Sequence, residues 1–424
     1  MRISLNNNYG GLKLVNKLPK QPEVNIGLVG HVDHGKTTLT KALSGVWTDT
    51  HSEELKRGIS IKLGYADTAF YKTKKGEFYV SGKHPSGEND QFEDLQRVVS
   101  FVDAPGHETL MAIMISGASI MDGALLMIAA NETCPQPQTR EHLMALEIAG
   151  IENIIVVQNK IDLINKEQAI TNYNQIKDFL KGTIAEKAPV IPISAHHDVN
   201  LDVLINSIEE VIPTPERNVK EDALMYVARS FDVNRPGTRP NKIQGGIIGG
   251  CIVSGEFKVG DQIEIGPGRR VQESGKEFWM PIESTISSIK GGGLDLDSMD
   301  AGGLCGMATQ LDPNFSKSDN LSGQVVALKG SLPPVRSKVE LDVSLLDEMV
   351  GADGSNEVYP LRHGEPLMVT VATAKSVGTV SNNQKGKTYL NLKLPICANK
   401  GSRLSLSRRV GTRWRLIGHA SIID

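Results

Sequence analysis

The chain has 424 residues, of which 39% are hydrophobic and 22% charged, and this balance is typical of globular proteins with about two to four domains. The formal net charge of −3 excludes a general affinity for nucleic acid, although a local basic patch remains compatible with it. The four cysteines (Cys134, Cys251, Cys305 and Cys397) stand far apart, so neither a zinc site nor a disulfide framework is indicated. Because no apolar run is long enough for a membrane span and residues 1–21 lack a signal core, we expect a cytoplasmic protein without membrane contact.

The first predicted elements are a buried strand at residues 24–29 and a helix that starts near residue 38. Between them lies Gly-His-Val-Asp-His-Gly-Lys-Thr (30–37), the pattern G-x-x-x-x-G-K-[ST] in the strand–loop–helix setting that it requires. Such a loop turns several N–H groups toward a phosphate chain. The residues expected to contact phosphate are Asp33, His34, Gly35, Lys36, Thr37 and Thr38. The Thr37 hydroxyl is also a candidate Mg²⁺ ligand, and the alternative is a Gly-rich turn that matches by chance.

Residues 25–213 alternate apolar strands with helical stretches, which predicts an α/β domain with a mostly parallel sheet wrapped by helices. The expected strands are 26–29, 98–102, 124–129, 154–158 and 190–193, and the expected helices include 108–121 and 138–149. In sheets of this kind ligands bind beyond the carboxyl ends of the strands. The candidate site residues all follow strands, as that rule requires.

Asp103-Ala104-Pro105-Gly106 follows the predicted strand 98–102. An aspartate at a strand end beside a phosphate loop can hold Mg²⁺ through a water, and the Gly106 N–H is placed for a γ-phosphate. The pattern D-x-x-G is weak alone and becomes strong at this distance from a phosphate loop. Earlier in the chain, Ser60 lies in a basic segment, residues 56–61. Spacing alone fits two interpretations of that segment, a Mg²⁺-dependent switch and a basic turn that leads into a strand.

Asn159-Lys160-Ile161-Asp162 follows the predicted strand 154–158. A carboxylate at Asp162 can accept from both N1–H and the 2-amino group of guanine, a donor pair that adenine does not present. Lys160 can lie along the base, and Asn159 can tie this loop to the phosphate loop. The backbone of Ser194-Ala195-His196 can place an N–H on guanine O6. A helix-capping turn is the alternative, but three ordered motifs favour GTP as the nucleotide.

Proline-marked boundaries near residues 213 and 333 divide the chain into 1–213, 214–333 and 334–424. Short β-rich runs separated by turns follow each boundary, so the expected fold class is an α/β P-loop GTPase domain followed by two β-barrel domains. The barrels contain no second catalytic constellation. The best local candidates for phosphate contacts there are the arginines Arg403, Arg408, Arg409, Arg413 and Arg415.

Together the four nucleotide-site motifs resemble the translational GTPases. Five longer sequence segments resemble the gamma subunit of archaeal and eukaryotic translation initiation factor 2. These segments are residues 55–67 (LKRGISIKLGYAD), 131–142 (NETCPQPQTREH), 229–237 (RSFDVNRPG), 245–250 (GGIIGG) and 406–418 (LSRRVGTRWRLIG). The resemblance covers nearly the whole chain.

The resemblance implies a GTPase that carries initiator methionyl-tRNA to the small ribosomal subunit, in a heterotrimer with alpha and beta subunits. It implies that Thr37 and Ser60 are Mg²⁺ ligands, with Asp103 acting through water. It further implies a second ion held by Asp33 and the Gly58 carbonyl, an attacking water positioned by His107, and Tyr65 near the tRNA acceptor end. We expect the tRNA in the cleft between the first two domains, with residues 57–65 as one wall.

Two departures from the family pattern matter. Ser60 stands where the broader family usually has threonine, so the switch loses a stiffening methyl group. Residues 70–97 lack the cysteine pairs of many relatives, and they predict an exposed loop or a small hairpin without metal. Two other classes share the phosphate loop and barrels: an elongation-type or selenocysteine-type tRNA carrier, and a metabolic GTPase subunit of the sulfate-activation type.

Overall fold

The computed structural model describes residues 17–49, 54, 60–85, 94–107, 110–349, 357–384 and 386–424. Gly58 and the rest of residues 55–59 therefore lie outside the described part, as do residues 108 and 109. In the described residues no helix combines the length and the apolar character that crossing a bilayer requires.

The first domain is built on one mixed sheet whose described strands lie in the order β3-β2-β4-β1-β5-β6-β7. These strands are β1 (Val24–Gly30), β2 (Gly64–Lys72), β3 (Phe78–Val80), β4 (Asp94–Asp103), β5 (Gly123–Ala129), β6 (Ile154–Asn159) and β7 (Val190–Pro192). Strands β4, β1, β5, β6 and β7 run parallel, whereas β2 and β3 extend the sheet antiparallel. Strands β1, β5 and β6 are buried throughout, as expected for parallel strands covered on both faces.

Helices cover both faces of this sheet. They are α1 (Lys36–Ser44), α2 (Met111–Ala118), α3 (Pro137–Ala149), α4 (Lys166–Leu180) and α5 (Leu201–Val211). Glycines at positive φ end two of them, Gly45 after α1 and Gly150 after α3. A reciprocal capping box between Asn165 and Gln168 fixes the start of α4. Of these signals, Gly150 explains why α3 ends at the predicted position, residue 149.

The described residues between 70 and 97 contribute strands to the sheet. β2 and β3 make an antiparallel hairpin in which Phe70 pairs with Val80, and Phe70, Phe78 and Val80 are all buried. The small hairpin is therefore correct for the described residues, and the exposed loop is wrong. The aromatic side chains of the hairpin, not metal-binding cysteines, supply its packing.

The second domain is a barrel closed by six strands. Its strands are β8 (Leu224–Phe231), β9 (Ile247–Lys258), β10 (Gln262–Glu273), β11 (Lys276–Gly291), β12 (Leu294–Leu296), β13 (Ser298–Thr309) and β14 (Val325–Leu328). The order β10-β14-β8-β9-β13-β11 closes because β10 also pairs with β11, and the short β12 extends β11. A short helix, α6 (Pro313–Ser316), and the 3₁₀ turn Lys317–Asp319 lie before β14.

The third domain is a second closed barrel of six strands in the described residues, in the order β15-β18-β17-β16-β19-β20. They are β15 (Val335–Leu345), β16 (Pro366–Val371), β17 (Ala374–Gln384), β18 (Lys387–Cys397), β19 (Arg403–Val410) and β20 (Arg413–Ile422). The expected fold class, a P-loop GTPase domain followed by two barrels, is confirmed. The predicted boundaries at 213 and 333 fall in the segments between α5 and β8 and between β14 and β15.

The three domains share buried contacts. A hydrophobic cluster centred on α2, α3 and the sheet of the first domain also contains Cys251 and Leu304 from the second domain and Leu416 from the third. The buried guanidinium of Arg415 in β20 donates to Glu141 Oε1 in α3 over 2.5 Å. Because both charges are buried, each one depends on the other for compensation. The third domain is thereby fixed against the helix that follows β5.

Candidate functional site

Three loops at the carboxyl ends of β1, β4 and β6 come together at one edge of the sheet. Backbone positions Gly30, Asp33 and Gly35 all have positive φ, so the loop after β1 curls tightly before α1. A Cβ on Gly35 would lie 2.3 Å from Asn159 Nδ2, and a Cβ on Gly106 would lie 2.5 Å from Lys36 Nζ. The lack of side chains at these two glycines therefore allows the phosphate loop, the Asp103–Gly106 turn and the base loop to meet.

Lys36 lies at the centre of this meeting point. Its buried ammonium group donates to the carbonyl oxygens of Gly30 and His31 at 3.0 and 2.7 Å. Burial lowers the pKa of Lys36 to about 8, and the nearby Asp103 carboxylate opposes this shift. A triphosphate placed against the loop would provide the compensating negative charge that the buried ammonium lacks.

The predicted metal ligands are close together. Thr37 Oγ1 donates to Asp103 Oδ2 over 2.7 Å and lies 3.3 Å from Ser60 Oγ. The other carboxylate oxygen of Asp103, Oδ1, is buried and has no hydrogen-bond partner in the described residues. Burial raises the pKa of Asp103 to about 6, against the hydrogen bonds from Thr48 and Thr37.

This donor set fits Mg²⁺, because it consists of hydroxyl and carboxylate oxygens with one buried oxygen left unpaired. In the described part of the chain, no group of three or more His, Cys, Asp or Glu side chains is arranged to hold a metal. The cluster of Thr37, Ser60 and Asp103 differs from such groups because hydroxyls predominate in it. Asp33 is exposed beside it, and Gly58, the other expected ligand of a second ion, lies outside the described residues.

The residues predicted to bind guanine also lie close together. Asn159 is buried, donates through Nδ2 to His34 O over 2.9 Å, and accepts from the Ala195 N–H at 3.0 Å. It therefore ties the phosphate loop to both loops around the base. The Ser194 hydroxyl donates to Asp162 Oδ1 over 2.6 Å and lowers the pKa of this carboxyl, so Asp162 is held ionised and oriented. Lys160 has φ of 65° at the start of this turn, and His196 is exposed beyond it.

The side chain of His34 has a structural role. It is fully buried, and its Nδ1 donates to Met127 O in β5 over 2.8 Å. Burial lowers the pKa of His34 to about 4, so the imidazole is neutral at pH 7. Any contact of His34 with phosphate would therefore come from its main chain.

Two residues that the motifs did not indicate also shape the site. Thr48 Oγ1 donates to Asp103 Oδ2 over 2.6 Å, and His142 Nδ1 in α3 accepts from the Gly30 N–H at 2.8 Å. Burial keeps the pKa of His142 well below its usual value, which leaves the lone pair on Nδ1 available for this bond. No spacing signal in the sequence links either residue to its partner.

The remaining predicted site residues occupy different environments. His107 is partly exposed directly after Gly106 and its carbonyl accepts from Leu110 N, at the start of α2. Tyr65 in β2 packs against the hydrophobic cluster shared by the three domains, and its hydroxyl is buried without a hydrogen-bond partner in the described residues. Of the five candidate arginines, Arg408 pairs with Glu365 over 2.5 Å and Arg415 pairs with Glu141, so these two are neutralised within the protein. Arg403, Arg409 and Arg413 have exposed positions.

A phosphate loop, three candidate Mg²⁺ ligands and a candidate guanine loop at one sheet edge, followed by two barrels, define a GTPase of the translation-factor class. The family model "Elongation factor Tu GTP binding domain" matches residues 21–214, and the model "Initiation factor eIF2 gamma, C terminal" matches residues 337–422. These two matches agree with the GTPase activity that the motifs predict.

Sequence identity to curated relatives narrows the translation-factor class to one family. The chain is 56% identical to translation initiation factor 2 subunit gamma of Methanocaldococcus jannaschii, with 96% of this chain and 98% of the relative covered. It is 55% identical to the protein of that name from Methanothermobacter thermautotrophicus, with 96% of this chain and 100% of the relative covered. The chain belongs to the family of translation initiation factor 2 gamma subunits.

Solved structures agree at the level of the fold. A bacterial selenocysteine-specific elongation factor superposes with a TM-score of 0.72 at 24% identity, over 95% of this chain and 58% of that one. The elongation factor SelB of Methanococcus maripaludis, in complex with a GTP analogue, gives a TM-score of 0.70 at 23% identity, over 96% of this chain and 80% of that one. At these identities the likeness shows a shared fold alone.

Proposed function

We propose that this chain binds initiator methionyl-tRNA in its GTP form, delivers it to the small ribosomal subunit and releases it after GTP hydrolysis. In this proposal it acts in the cytoplasm as one subunit of a heterotrimer with alpha and beta subunits. Its domains are 1–213, 214–333 and 334–424. The observation that carries the proposal is a direct connection between the nucleotide site and the second domain. Ser60 Oγ lies 3.3 Å from Thr37 Oγ1, and two residues later Lys62 Nζ contacts Asp319 Oδ2 of the second domain over 2.5 Å.

The chain binds the nucleotide both at its phosphates and at its base. Main-chain N–H groups of residues 33–38 and Gly106, together with the Lys36 ammonium, bind the phosphates. Asp162 accepts from the guanine edge while its Oδ1 stays oriented by Ser194, and Asn159 keeps the base loop at a fixed distance from the phosphate loop. The backbone of residues 194–196 and the stem of Lys160 complete the base pocket. Guanine selectivity is thus coupled to the position of the phosphates.

Thr37 and Ser60 would hold Mg²⁺, with Asp103 contributing through a water and Asp33 with the Gly58 carbonyl available for a second ion. When bound, the ion neutralises phosphate charge that develops during transfer. The Thr37 hydroxyl and the Asp103 carboxylate already contact each other, so the chain needs little rearrangement at this point. His107 follows the Gly106 turn and orients the attacking water toward the γ-phosphate. Hydrolysis would release Ser60 and with it the segment that leads to Lys62.

Binding of initiator methionyl-tRNA to the GTP-analogue form and the GDP form tests the proposal directly. We expect tight binding in the GTP form and weak binding in the GDP form, measured by filter binding at one fixed salt concentration because phosphate contacts are salt-dependent. An elongator tRNA charged with its own amino acid serves as the matched competitor. Equal competition by the elongator tRNA would indicate an elongation-type carrier. Absence of tRNA binding in both forms would indicate a metabolic GTPase subunit.

A further inference from the structure

Two buried side-chain amides lie behind the loop that is predicted to bind guanine. Gln158 directly precedes Asn159 in β6, and Asn172 lies in α4, the helix that follows this loop. Both side chains are buried, although their neighbours along the strand and along the buried stripe of the helix are apolar. A buried amide is unfavourable unless its polar atoms have hydrogen-bond partners, so the partners of this pair indicate its role.

Gln158 closes the base loop, residues 159–165, where the loop begins and ends. Its Nε2 donates to Ala169 O over 2.9 Å and to Asn172 Oδ1 over 2.9 Å, so both hydrogens of the amide bind the first two turns of α4. The loop follows Gln158 directly and leads into α4 at Lys166. One amide therefore holds the two ends of the base loop at a fixed separation.

Asn172 extends this contact to the segment that follows β5. Its Nδ2 donates to Glu132 O over 2.8 Å, shortly after the end of β5. Gln175, in the next turn of α4, accepts from the Cys134 N–H over 3.1 Å. Two side-chain amides of the helix thereby fix its position against residues 132–134.

The phosphate loop contacts the same elements through His34. The His34 Nδ1 donates to Met127 O in β5 over 2.8 Å, and the His34 carbonyl oxygen accepts from Asn159 Nδ2 over 2.9 Å. These contacts close a hydrogen-bond ring, which passes through His34, the chain from Met127 to Glu132, Asn172, Gln158 and Asn159. Because the members of a buried polar network depend on one another, a change at one of them displaces the others.

We propose that Gln158 and Asn172 are positioning residues that set the distance between the base loop and the phosphate loop, and so control guanine selectivity and the lifetime of the bound nucleotide together. The inference rests on the proposed function, in which Asp162 contacts the base and residues 33–38 contact the phosphates. Neither amide touches the nucleotide, and both act through Asn159. Because Asn159 lies three residues before Asp162, its displacement moves the carboxylate away from the guanine edge.

The hydrogen-bond ring is separate from the candidate Mg²⁺ ligands. Its bonds join side-chain amides and one imidazole to carbonyl oxygens and to each other, whereas Thr37, Ser60 and Asp103 contact one another through hydroxyl and carboxylate oxygens. The γ-phosphate belongs to the Mg²⁺ side of the proposed site. Opening of the ring should therefore affect the GDP form and the GTP form alike.

The variant Asn172→Ala opens the ring and leaves the proposed nucleotide contacts in the sequence. We expect GDP and a non-hydrolysable GTP analogue to dissociate about tenfold faster from it, because small displacements of binding groups cause large losses. We also expect the ratio of affinities for GDP over inosine diphosphate to fall about threefold or more. Inosine lacks the 2-amino group of guanine, so this ratio reports the contact of Asp162 with that group. Stopped-flow release of fluorescent nucleotides and competition binding measure the two quantities.

Two changes in α4 serve as controls. Ile176→Val removes one methyl group from the same buried stripe of the helix, so it lowers stability without opening the ring. Asn174→Ala removes an exposed amide from the same helix. We expect both controls to keep the affinity ratio of the unmodified protein. Gln158→Met opens the ring from the strand at similar side-chain volume, so the test does not depend on the folding of one variant.

A double variant shows whether the two amides act through Asn159. Asn159→Ala alone should release GDP faster, because it separates the base loop from His34. Both changes open the same ring, so Asn172→Ala added to Asn159→Ala should accelerate release by less than the product of the two separate effects. Effects that multiply in full would mean that Asn172 acts independently of Asn159, and the ring would be overturned.

The outcomes separate this inference from the proposed nucleotide site. If the unmodified protein binds GDP no more tightly than inosine diphosphate, the assignment of the guanine site itself fails. If the unmodified protein discriminates but Asn172→Ala and Gln158→Met keep its affinity ratio, the positioning role is overturned. A loss of selectivity that Ile176→Val reproduces would also overturn it, because reduced stability would then be sufficient. A lower ratio in both ring variants, with both controls unchanged, supports it.

Discussion

Asp162 is the side chain that we propose sets the choice of nucleotide. Its Oδ1 accepts from the Ser194 hydroxyl over 2.6 Å, and its Oδ2 lies 3.8 Å from His197 Nε2. We predict that Asp162→Asn weakens GTP binding by about 100-fold or more, since two charge-assisted hydrogen bonds are lost. The asparagine amide suits the 2-oxo group of xanthine, so preference should shift to xanthosine triphosphate. A nucleotide competition assay checks this, and retained GTP preference would contradict the assignment of Asp162.

His107 is the residue at which binding and hydrolysis should separate. It follows Gly106 directly, and a Cβ on Gly106 would nearly touch Lys36 Nζ, so the γ-phosphate must lie close by. We predict that His107→Ala keeps GTP affinity and slows hydrolysis about 10²–10⁴-fold, the usual value of a positioned acid–base group. The exposed His363→Ala is the control. Single-turnover hydrolysis that survives the His107 change intact would leave this residue with a structural role alone.

The placement of the motif residues at one sheet edge could be predicted from the sequence, because local spacing and strand ends determine where they lie. The contact of Thr37 with Asp103 follows from two neighbouring parallel strands, β1 and β4, that end at the same edge. Thr48 could not be predicted, since it lies in an irregular segment after α1 whose path depends on tertiary packing. His142 is similar, because its bond to the Gly30 N–H joins residues that lie 112 positions apart.

Among the elements, β2 and β4 carry one of the contacts that join the first domain to the second. The Leu304 N–H donates to Ser100 Oγ over 3.0 Å, and the Ser100 hydroxyl donates to Asp67 Oδ1 over 2.6 Å. Burial of this carboxyl raises the pKa of Asp67 from 3.8 to about 6, despite the hydrogen bond from Ser100. An ionised Asp67 is therefore an unfavourable component of this interface at neutral pH.

The sign of the resulting pH dependence follows from linkage. Because the folded-state pKa of Asp67 lies above its unfolded value, the folded state binds more protons between the two. Its contribution to stability is complete below pH 3.8 and is lost as the pH rises through about 6. We predict that the free energy of unfolding of the unmodified protein, relative to Asp67→Asn, is roughly 1 kcal/mol greater at pH 5 than at pH 7. Denaturant unfolding of both proteins at the two pH values measures this, and equal differences would contradict it.

The elements of the first domain were easier to predict than those of the barrels. Fully buried parallel strands such as β1 and β5 are continuous apolar runs in the sequence. Barrel strands instead contain register shifts, for example where β13 pairs with β9 between Asp300 and Leu304 of β13. Such shifts break the alternation of apolar and polar residues along a strand. The predicted run at residues 246–253 therefore covered only part of β9 (Ile247–Lys258).

At the scale of the whole molecule, long-range ion pairs explain why some sequence expectations failed. Arg415 was grouped with four other arginines as a candidate for phosphate contacts, but it is buried against Glu141, 274 positions away in the first domain. Nothing in the local sequence reports such a partner. The same pair fixes the third domain beside α3. His142 of this helix accepts from the N–H of Gly30, the first residue of the phosphate loop, so the domains share one packed framework beside the candidate nucleotide site.

In the proposed function, the affinities for nucleotide and tRNA are coupled through this framework. Ser60 Oγ lies 3.3 Å from Thr37 Oγ1 in the proposed nucleotide site, and Lys62 contacts the second domain through Asp319. If the GTP form binds initiator methionyl-tRNA more tightly than the GDP form by some factor, the bound tRNA must raise the preference for GTP over GDP by that same factor. We predict a factor of about 5–150, the usual range for coupled sites.

The prediction is measured with dissociation constants for GDP and a non-hydrolysable GTP analogue, with and without saturating charged initiator tRNA. Salt must be held constant throughout, because the net charge of −3 provides no general attraction for RNA and the contacts are local. A nucleotide preference that tRNA leaves unchanged would mean that closure of the segment around Ser60 serves hydrolysis alone. A preference that rises by the predicted factor would mean that the segment around Ser60 couples the binding of nucleotide to the binding of tRNA.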